Sequence, residues 1–259
     1  MRGEAVASLC RHRVTLPGGS SATCAARKSL CVPLTDEFGA AIRSDRTNDQ
    51  PNEKGIATMK LTTMTQVTVD GVMQGNGGAS DEDRRSGFER GGWARGKGDN
   101  ETRTFINQTY ERADAFLFGR RTYEIFARGW GVMDRGSHPI ADALNTKPKY
   151  LASTTIADPK WANTTVLSGD LAAAIGEMKA EPAGELQVHG SGALIRWLLD
   201  HDLVDEIQLL IVPVVLGQGT RLFPDAGPDI ALDLVDWRAD SRGVTVQVYR
   251  PAGRPQYAS

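Results

Sequence analysis

The stretch Ala115-Phe116-Leu117-Phe118-Gly119-Arg120-Arg121-Thr122-Tyr123-Glu124 decides the fold. Its short apolar run reads as a buried strand, Gly119 interrupts it, and a helical pattern begins. The same order returns in Leu186-Gln187-Val188-His189-Gly190-Ser191-Gly192-Ala193-Leu194-Ile195. A helix start presents free backbone N–H groups and the positive end of the helix dipole, and together these hold anions. Glycine lets a ligand approach the backbone closely. Two such turns in one domain point to a nucleotide with more than one phosphate group.

Working outward, Leu61 to Val69 reads as a strand, Asp70-Gly71 as a turn, and Val72-Met73 as the strand resumed. Gly75 to Asn100 reads as a long loop containing Phe88, Trp93 and the acids Asp81, Glu82, Asp83 and Glu89. A helix is expected over 104–113, strands at 149–153 and 164–167, and a helix capped by Asp170. A helix over 193–200 follows the second turn. Ile207 to Leu216 is a nearly unbroken apolar strand in which Pro213 implies a bulge or an edge. Leu232 to Trp237 and Val244 to Tyr249 close the chain as a hairpin, with Val244, Val246 and Val248 on the buried face. The pattern predicts an α/β fold with a mixed central sheet, mostly parallel, flanked by helices.

Composition narrows the partners. A chain of 259 residues, 40% hydrophobic and 24% charged, suits one large globular domain or two small ones. A net charge of −2 gives no prior for nucleic acid or an anionic membrane, so neither is expected as a partner. No run approaches the roughly 18 apolar residues of a membrane span, and a cytoplasmic protein is expected. All three cysteines, Cys10, Cys24 and Cys31, fall near the start, an odd count that argues against a disulfide framework. Their spacing with His12 is poor for zinc, and no metal is expected. Residues 1–58 show no clear period, and Glu4 is their only acid before Asp36. They read as a disordered N-terminal extension to a domain over 59–259. A targeting segment or a start at Met59 would each explain them; the absence of an amphipathic Arg-bearing helix favours the latter.

At the two turns the chain resembles a known family. Gly119-Arg120-Arg121-Thr122-Tyr123-Glu124 resembles the Gly-Arg-basic-Thr-aromatic-Glu turn of dihydrofolate reductases. Val69-Asp70-Gly71-Val72-Met73 is similar to their first strand and loop, and His189-Gly190-Ser191-Gly192-Ala193 to their Gly-Gly turn at the cofactor pyrophosphate. Leu203-Val204-Asp205-Glu206-Ile207, Pro213-Val214-Val215-Leu216-Gly217 and Leu222-Phe223 more closely resemble the reductase domain of the bifunctional riboflavin-biosynthesis deaminase-reductase. The likeness runs from about Leu61 to Pro251. The deaminase zinc signature is missing, so a stand-alone reductase is expected. The resemblance implies a dihydrofolate reductase-like three-layer sandwich, a homodimer, and NADPH as cofactor. It implies NADPH contacts at Gly119, Arg120, Arg121 and Thr122, at Gly190, Ser191, Gly192, Ala193 and Leu194, and at Ser153 and Thr154 for the 2′-phosphate.

Each feature has a plainer explanation beside it. Arg can grip phosphate with paired N–H groups, yet Gly119 to Thr122 also fits a solvated helix start. Gly190-x-Gly192 lacks the third glycine of a Rossmann fingerprint, Ile195 taking that place, and is also explained as a tight turn. Ser153-Thr154-Thr155 suits a simple turn equally well. His189 reads as a hydrogen-bonded core residue rather than a catalyst, and His138, in Ser-His-Pro, as solvated. Phe88, Trp93, Asp81, Glu82, Asp83 and Glu89 of the long loop either cover a flat heteroaromatic substrate or form a solvated loop; the substrate candidates are Asp70, Trp93 and Glu101, and the proton donor stays unassigned. Counting back from Gly119 for the buried carboxylate of dihydrofolate reductases reaches Glu101-Thr102-Arg103, with Arg103 nearest the expected place. The expectation is therefore an NADPH-dependent reductase of a pyrimidine or pteridine, with dihydrofolate reductase and a non-catalytic nucleotide-binding protein as alternatives.

Overall fold

The computed structural model describes residues 58–182 and 184–258. The extension read over residues 1–58, with its three cysteines, lies outside the described residues except for Thr58. Eight strands and six helices follow in the order β1 (Lys60–Thr68), α1 (Asp81–Arg85), α2 (Asn100–Arg112), β2 (Ala115–Gly119), α3 (Arg120–Gly129), α4 (Pro139–Thr146), β3 (Lys149–Ala152), β4 (Thr164–Leu167), α5 (Leu171–Ala180), β5 (Glu185–His189), α6 (Gly192–Asp200), β6 (Glu206–Val212), β7 (Leu232–Ala239) and β8 (Thr245–Pro251).

Hydrophobic alternation along the strands builds the layers. In β2, Ala115 and Leu117 face a cluster with Ile175 of α5 and Leu194, Ile195 and Leu198 of α6. Phe116 and Phe118 face the opposite cluster, with Phe105 and Tyr110 of α2, Tyr123 of α3 and Leu144 of α4. One sheet is thus buried on both faces, the condition that makes parallel strands stable. Its order is β4-β3-β2-β5-β1-β6-β8-β7. The pairs among the first six strands are parallel. Strand β8 runs antiparallel to both β6 and β7. The sequence reading of a mostly parallel mixed sheet in a three-layer sandwich, closed by an antiparallel hairpin, is what the chain forms. Among the described residues no helix is long and apolar enough to cross a membrane.

Four local expectations need correction. Val72 does not resume a strand; it makes a single bridge to Arg221. The long loop contains α1, whose capping box joins Ser80 to Asp83. Helix α4 was not anticipated. His138 is its N-cap, with Nδ1 accepting the Ile140 N–H at 3.2 Å, and Pro139 supplies the preset φ of a first helical residue. Finally, β6 ends at Val212, before Pro213, because proline has no N–H for the ladder. It lies between β1 and β8 rather than at an edge, and the bulge falls instead in β7, between Leu234 and Asp236.

Lys149, at the start of β3, is fully buried. Its ammonium donates to the Leu144 carbonyl at 2.7 Å and the Lys147 carbonyl at 3.0 Å, and lies 4.9 Å from the centre of the Trp161 ring. A cation there suits the negative end of α4, while burial pushes its pKa down to about 8.

Candidate active site

The two glycine turns meet in space. Strands β2 and β5 are neighbours, paired only at Ala115–Leu186 and Phe116–Gln187. The ladder between them ends there, short of both turns. Helix α3, which follows β2, packs in the α2 layer, whereas α6, which follows β5, packs on the other face. Adjacent parallel strands whose helices leave to opposite faces leave a crevice at their carboxyl ends, where ligands bind in open α/β sheets.

One hydrogen bond joins the turns: the Gly119 N–H donates to Ser191 Oγ at 3.0 Å. Gly190 and Ser191 are both left-handed, with φ of 68° and 61°. The strain of a left-handed serine aims its hydroxyl back at Gly119. A Cβ on Gly190 would lie 3.6 Å from Thr122 Oγ1, so the first turn's hydroxyl sits against the second turn.

That arrangement has an electrostatic consequence. Helices α1, α2, α4 and α5 have first-turn N–H groups capped by the side chains of Ser80, Asp99, His138 and Asp170. Helices α3 and α6 have no side-chain cap. The N-cap of α3 is Gly119, which has nothing to offer, and the Ser191 hydroxyl is turned to the other loop. Two uncapped helix starts therefore converge, each needing an acceptor. Ser153 joins them through the sheet, because β3 lies beside β2 with Ala152 opposite Gly119. Its Oγ accepts the N–H groups of Thr155 and Ile156 at 3.2 and 3.1 Å, and Thr154 is exposed.

The charged groups are less free than the sequence suggested. Arg120 pairs with Glu124 at 3.3 Å along α3. Arg121 pairs with Asp83, and its Nε lies 3.7 Å from Glu82. A cation not anticipated, Arg196 of α6, reaches back to the helix start: a Cβ on Gly192 would be 3.2 Å from its Nη1, and 2.5 Å from Met73 Sδ. That nitrogen donates to the Leu222 carbonyl at 3.2 Å, a neutral acceptor. Its position four residues into the helix after Gly192 was the available signal.

None of the three residues considered for substrate is hydrogen-bonded to a residue of either turn. Asp70 accepts from Thr68 Oγ1 at 2.6 Å, the Leu216 N–H at 3.1 Å and the Gly217 N–H at 2.7 Å. These donors, the Thr68 hydroxyl foremost, hold its carboxyl down to about 2. Trp93 is buried with Val72, Phe88, Val212, Leu216 and Val244, and its indole N–H donates to the Gln74 carbonyl at 2.8 Å. Glu101 is exposed in the first turn of α2. The long loop is thus folded over an apolar cluster of its own, with Phe88 inside.

Asp83, named from the sequence only as one of the long-loop acids, has a pairing with Arg121 that the sequence did not give. It is 3% exposed and accepts from the Ser80 N–H at 2.8 Å, Ser80 Oγ at 2.6 Å and Gln74 Nε2, besides Arg121. These partners hold its carboxyl below the usual range although burial pushes the other way. The sequence signal was Ser80-x-x-Asp83, a capping box.

His189 is a core residue, as expected. It is 2% exposed and stacks on Tyr110 with ring centroids 3.9 Å apart. Gln187 Nε2 donates to the Thr109 carbonyl at 2.6 Å, which leaves its Oε1 to accept from His189 Nε2 at 2.8 Å. The imidazole therefore carries its hydrogen on Nε2. Nδ1, an acceptor, has no partner in the structure. Burial, assisted by Arg112, pushes its pKa down to about 3, so it is neutral.

A sheet of this order with joined glycine turns at its carboxyl edge is the framework of a dihydrofolate reductase-like protein. The chain belongs to the RibD C-terminal domain family, which it matches over residues 59–246. It is 29% identical over 190 residues to the uncharacterized protein YyaP of Bacillus subtilis, covering 71% of this chain and 90% of that one. A putative riboflavin biosynthesis protein from Shewanella sp. PV-4 shares the fold with a TM-score of 0.57 at 21% identity, over 74% of this chain and 99% of that chain. A pyrimidine reductase-like protein from Corynebacterium diphtheriae does so with a TM-score of 0.50 at 14% identity, over 74% and 92% of the two chains.

Proposed function

We propose that this protein is an NADPH-dependent reductase of a pyrimidine or pteridine substrate, like the 5-amino-6-(5-phosphoribosylamino)uracil reductase of riboflavin biosynthesis. One observation carries the reading: α3 and α6, the two helices without side-chain caps, start side by side at the carboxyl edge of the sheet. A pyrophosphate fits such a place, since each helix start lacks acceptors and an Arg stands beside each. Gly119, Arg120, Arg121 and Thr122 would hold one end, and Gly190, Ser191, Gly192, Ala193 and Leu194 the other. Ser153 and Thr154, next along the sheet edge, would take the adenosine 2′-phosphate together with Arg120 and Arg121, on which the preference for NADPH over NADH rests. Arg196 adds charge at α6. When bound, NADPH supplies the hydride; the chain's residues fix its distance and angle to the substrate.

The test compares NADPH and NADH binding in the wild type and in Arg120→Ala/Arg121→Ala. The double substitution is expected to weaken NADPH roughly a hundredfold and NADH less than tenfold, on the scale of two charge-assisted contacts. Equal losses would remove the 2′-phosphate assignment, and a wild type that binds neither cofactor would remove the reading. A second reading, a nucleotide-binding protein without turnover, is favoured by the neutral His189 and the ionised Asp83, neither of which is poised as an acid. NADPH oxidation with the ribosylaminopyrimidine, and separately with dihydrofolate, distinguishes them.

The chain is also proposed to pair with a second copy. Strand β6 is interior; of the two edge strands, β4 and β7, it is β7 on which Leu234, Val235 and Trp237 are exposed, Trp237 by 66%. An apolar edge strand invites a partner strand. Sedimentation is expected to show a dimer that Trp237→Glu converts to monomer; a monomeric wild type would refute the pairing.

A further inference from the structure

Arg121 is the cation best placed at the first glycine turn, yet an internal anion already occupies it. Asp83 lies on α1, in the long segment between β1 and α2, and meets the Arg121 guanidinium at Nη2. Glu82 approaches Nε at 3.7 Å. Two carboxylates thus face one guanidinium.

The two partners are unequally fixed. The side chain of Asp83 is 4% exposed, that of Arg121 45%. Without Arg121, Asp83 keeps three donors: the Ser80 N–H, the Ser80 hydroxyl and the Gln74 amide. Gln74 is itself anchored, its Oε1 accepting the Thr220 N–H at 2.8 Å and the Thr220 hydroxyl at 3.1 Å. Trp93 ties down its carbonyl. The carboxylate is held by a scaffold that does not need the guanidinium, so loss of the pair leaves no buried charge stranded. The exposed guanidinium is the member free to exchange.

We propose that Asp83 is an internal competitor for Arg121, a specificity-determining residue that a ligand's phosphate must displace to recruit the guanidinium. This rests on the reading of the two turns as a polyphosphate site and adds to it a residue from outside both turns. Displacement favours ligands that also engage the α6 start. A pyrophosphate spanning both helix starts makes up the lost pair; a single phosphate at one start does not. Asp83 thereby lowers the affinity of every anion that recruits Arg121 alike, and the weakly held single phosphate is the one that falls below occupancy.

The test measures binding of inorganic pyrophosphate and inorganic phosphate, by calorimetry on the full chain, to the wild type, Asp83→Asn, Arg121→Ala and the double variant. Asp81→Asn, which removes an equal charge from the same short helix, controls for net charge, and thermal unfolding reports folding. Asp83→Asn is expected to bind pyrophosphate roughly three- to tenfold more tightly, the range for freeing a half-exposed Arg from one ion pair. Phosphate should gain by the same factor if it recruits Arg121, and by less if it binds without it. Asp81→Asn should stay within about twofold of the wild type, and the gain should vanish in the Arg121→Ala background. If Arg121→Ala weakens pyrophosphate but Asp83→Asn binds as the wild type does, competition is refuted while the polyphosphate site stands. If Asp83→Asn binds more weakly, Asp83 holds Arg121 in place and competition is again refuted. If Arg121→Ala leaves pyrophosphate and NADPH binding unchanged, the reading of the first turn itself fails.

Discussion

Gly119→Ala is expected to weaken NADPH at least tenfold while leaving the protein folded. The backbone at Gly119, with φ −80° and ψ 158°, is open to any residue, so alanine meets no conformational strain there. The obstacle is across the crevice. A Cβ at this position would stand 3.2 Å from Ser191 Oγ, 3.3 Å from Ser191 Cβ and 3.7 Å from Leu194 Cβ. Ser191 cannot easily give way, because its backbone is left-handed and its hydroxyl is fixed by the Gly119 N–H. The added methyl therefore pushes the start of α6 away from the start of α3. Overpacking of this kind costs roughly 1–3 kcal/mol of stability. The effect on a ligand spanning both turns is larger relative to its own binding energy, since about 1.4 kcal/mol already makes tenfold. Gly176→Ala is the control: nothing lies within 4 Å of that Cβ, in the middle of α5. It should raise stability by roughly 0.5–1 kcal/mol through helix propensity and leave cofactor affinity alone. Calorimetry and thermal unfolding of both variants decide the matter. A Gly119→Ala protein with wild-type NADPH affinity would mean that the turns do not share a ligand.

The second large effect is on acid stability. His189 has a folded pKa of about 3 against an ordinary value of 6.5. Between those values the unfolded chain takes up a proton that the folded chain refuses. The stability His189 contributes is thus complete above pH 6.5 and lost as the pH falls toward 3. The slope approaches one proton, about 1.4 kcal/mol per pH unit, and the full loss is on the order of 5 kcal/mol. The carboxylates held down in the folded state, Asp70 and Asp83 among them, add their own loss only as the pH falls below about 4. The interval from pH 6.5 to about 4.5 therefore isolates the imidazole. Urea unfolding across it should show a steep limb in the wild type and a nearly flat one in His189→Gln, which keeps an N–H for Gln187. Equal slopes would show that the buried ring is protonated in place.

The central architecture was legible because burial writes itself into the sequence. Runs such as Phe116-Leu117-Phe118 and Leu186-Gln187-Val188, each ended by glycine, admit few readings but a buried strand and a turn. Asp170 before Leu171 marked α5 in the same way. Helix α4 escaped because Ser-His-Pro reads as loop, and an imidazole is an uncommon cap. The long segment escaped for another reason. Its glycines and charges left a substrate cover and a solvated loop equally open, while the cluster of Phe88, Trp93 and Val72 depends on partners far away in the chain, Val212, Leu216 and Val244. The meeting of the turns was foreseeable in kind. The occupation of Arg121 by Asp83 was not, because an ion pair between a short helix and a distant turn leaves no periodic trace.

The place of β5 in the sheet bears on how the molecule comes into being. Leu61 of β1 lies beside Leu186 of β5, and Ala115 of β2 lies on the strand's other side. The middle of the sheet cannot be completed until this late segment arrives, and such long-range closure makes for slow folding. A ribosome-bound chain that ends before β5 has made every residue of the first turn and none of the second. On the function proposed, a nucleotide present during synthesis would bind only once β5 and α6 have joined the sheet, and would then stabilise the folded chain by mass action.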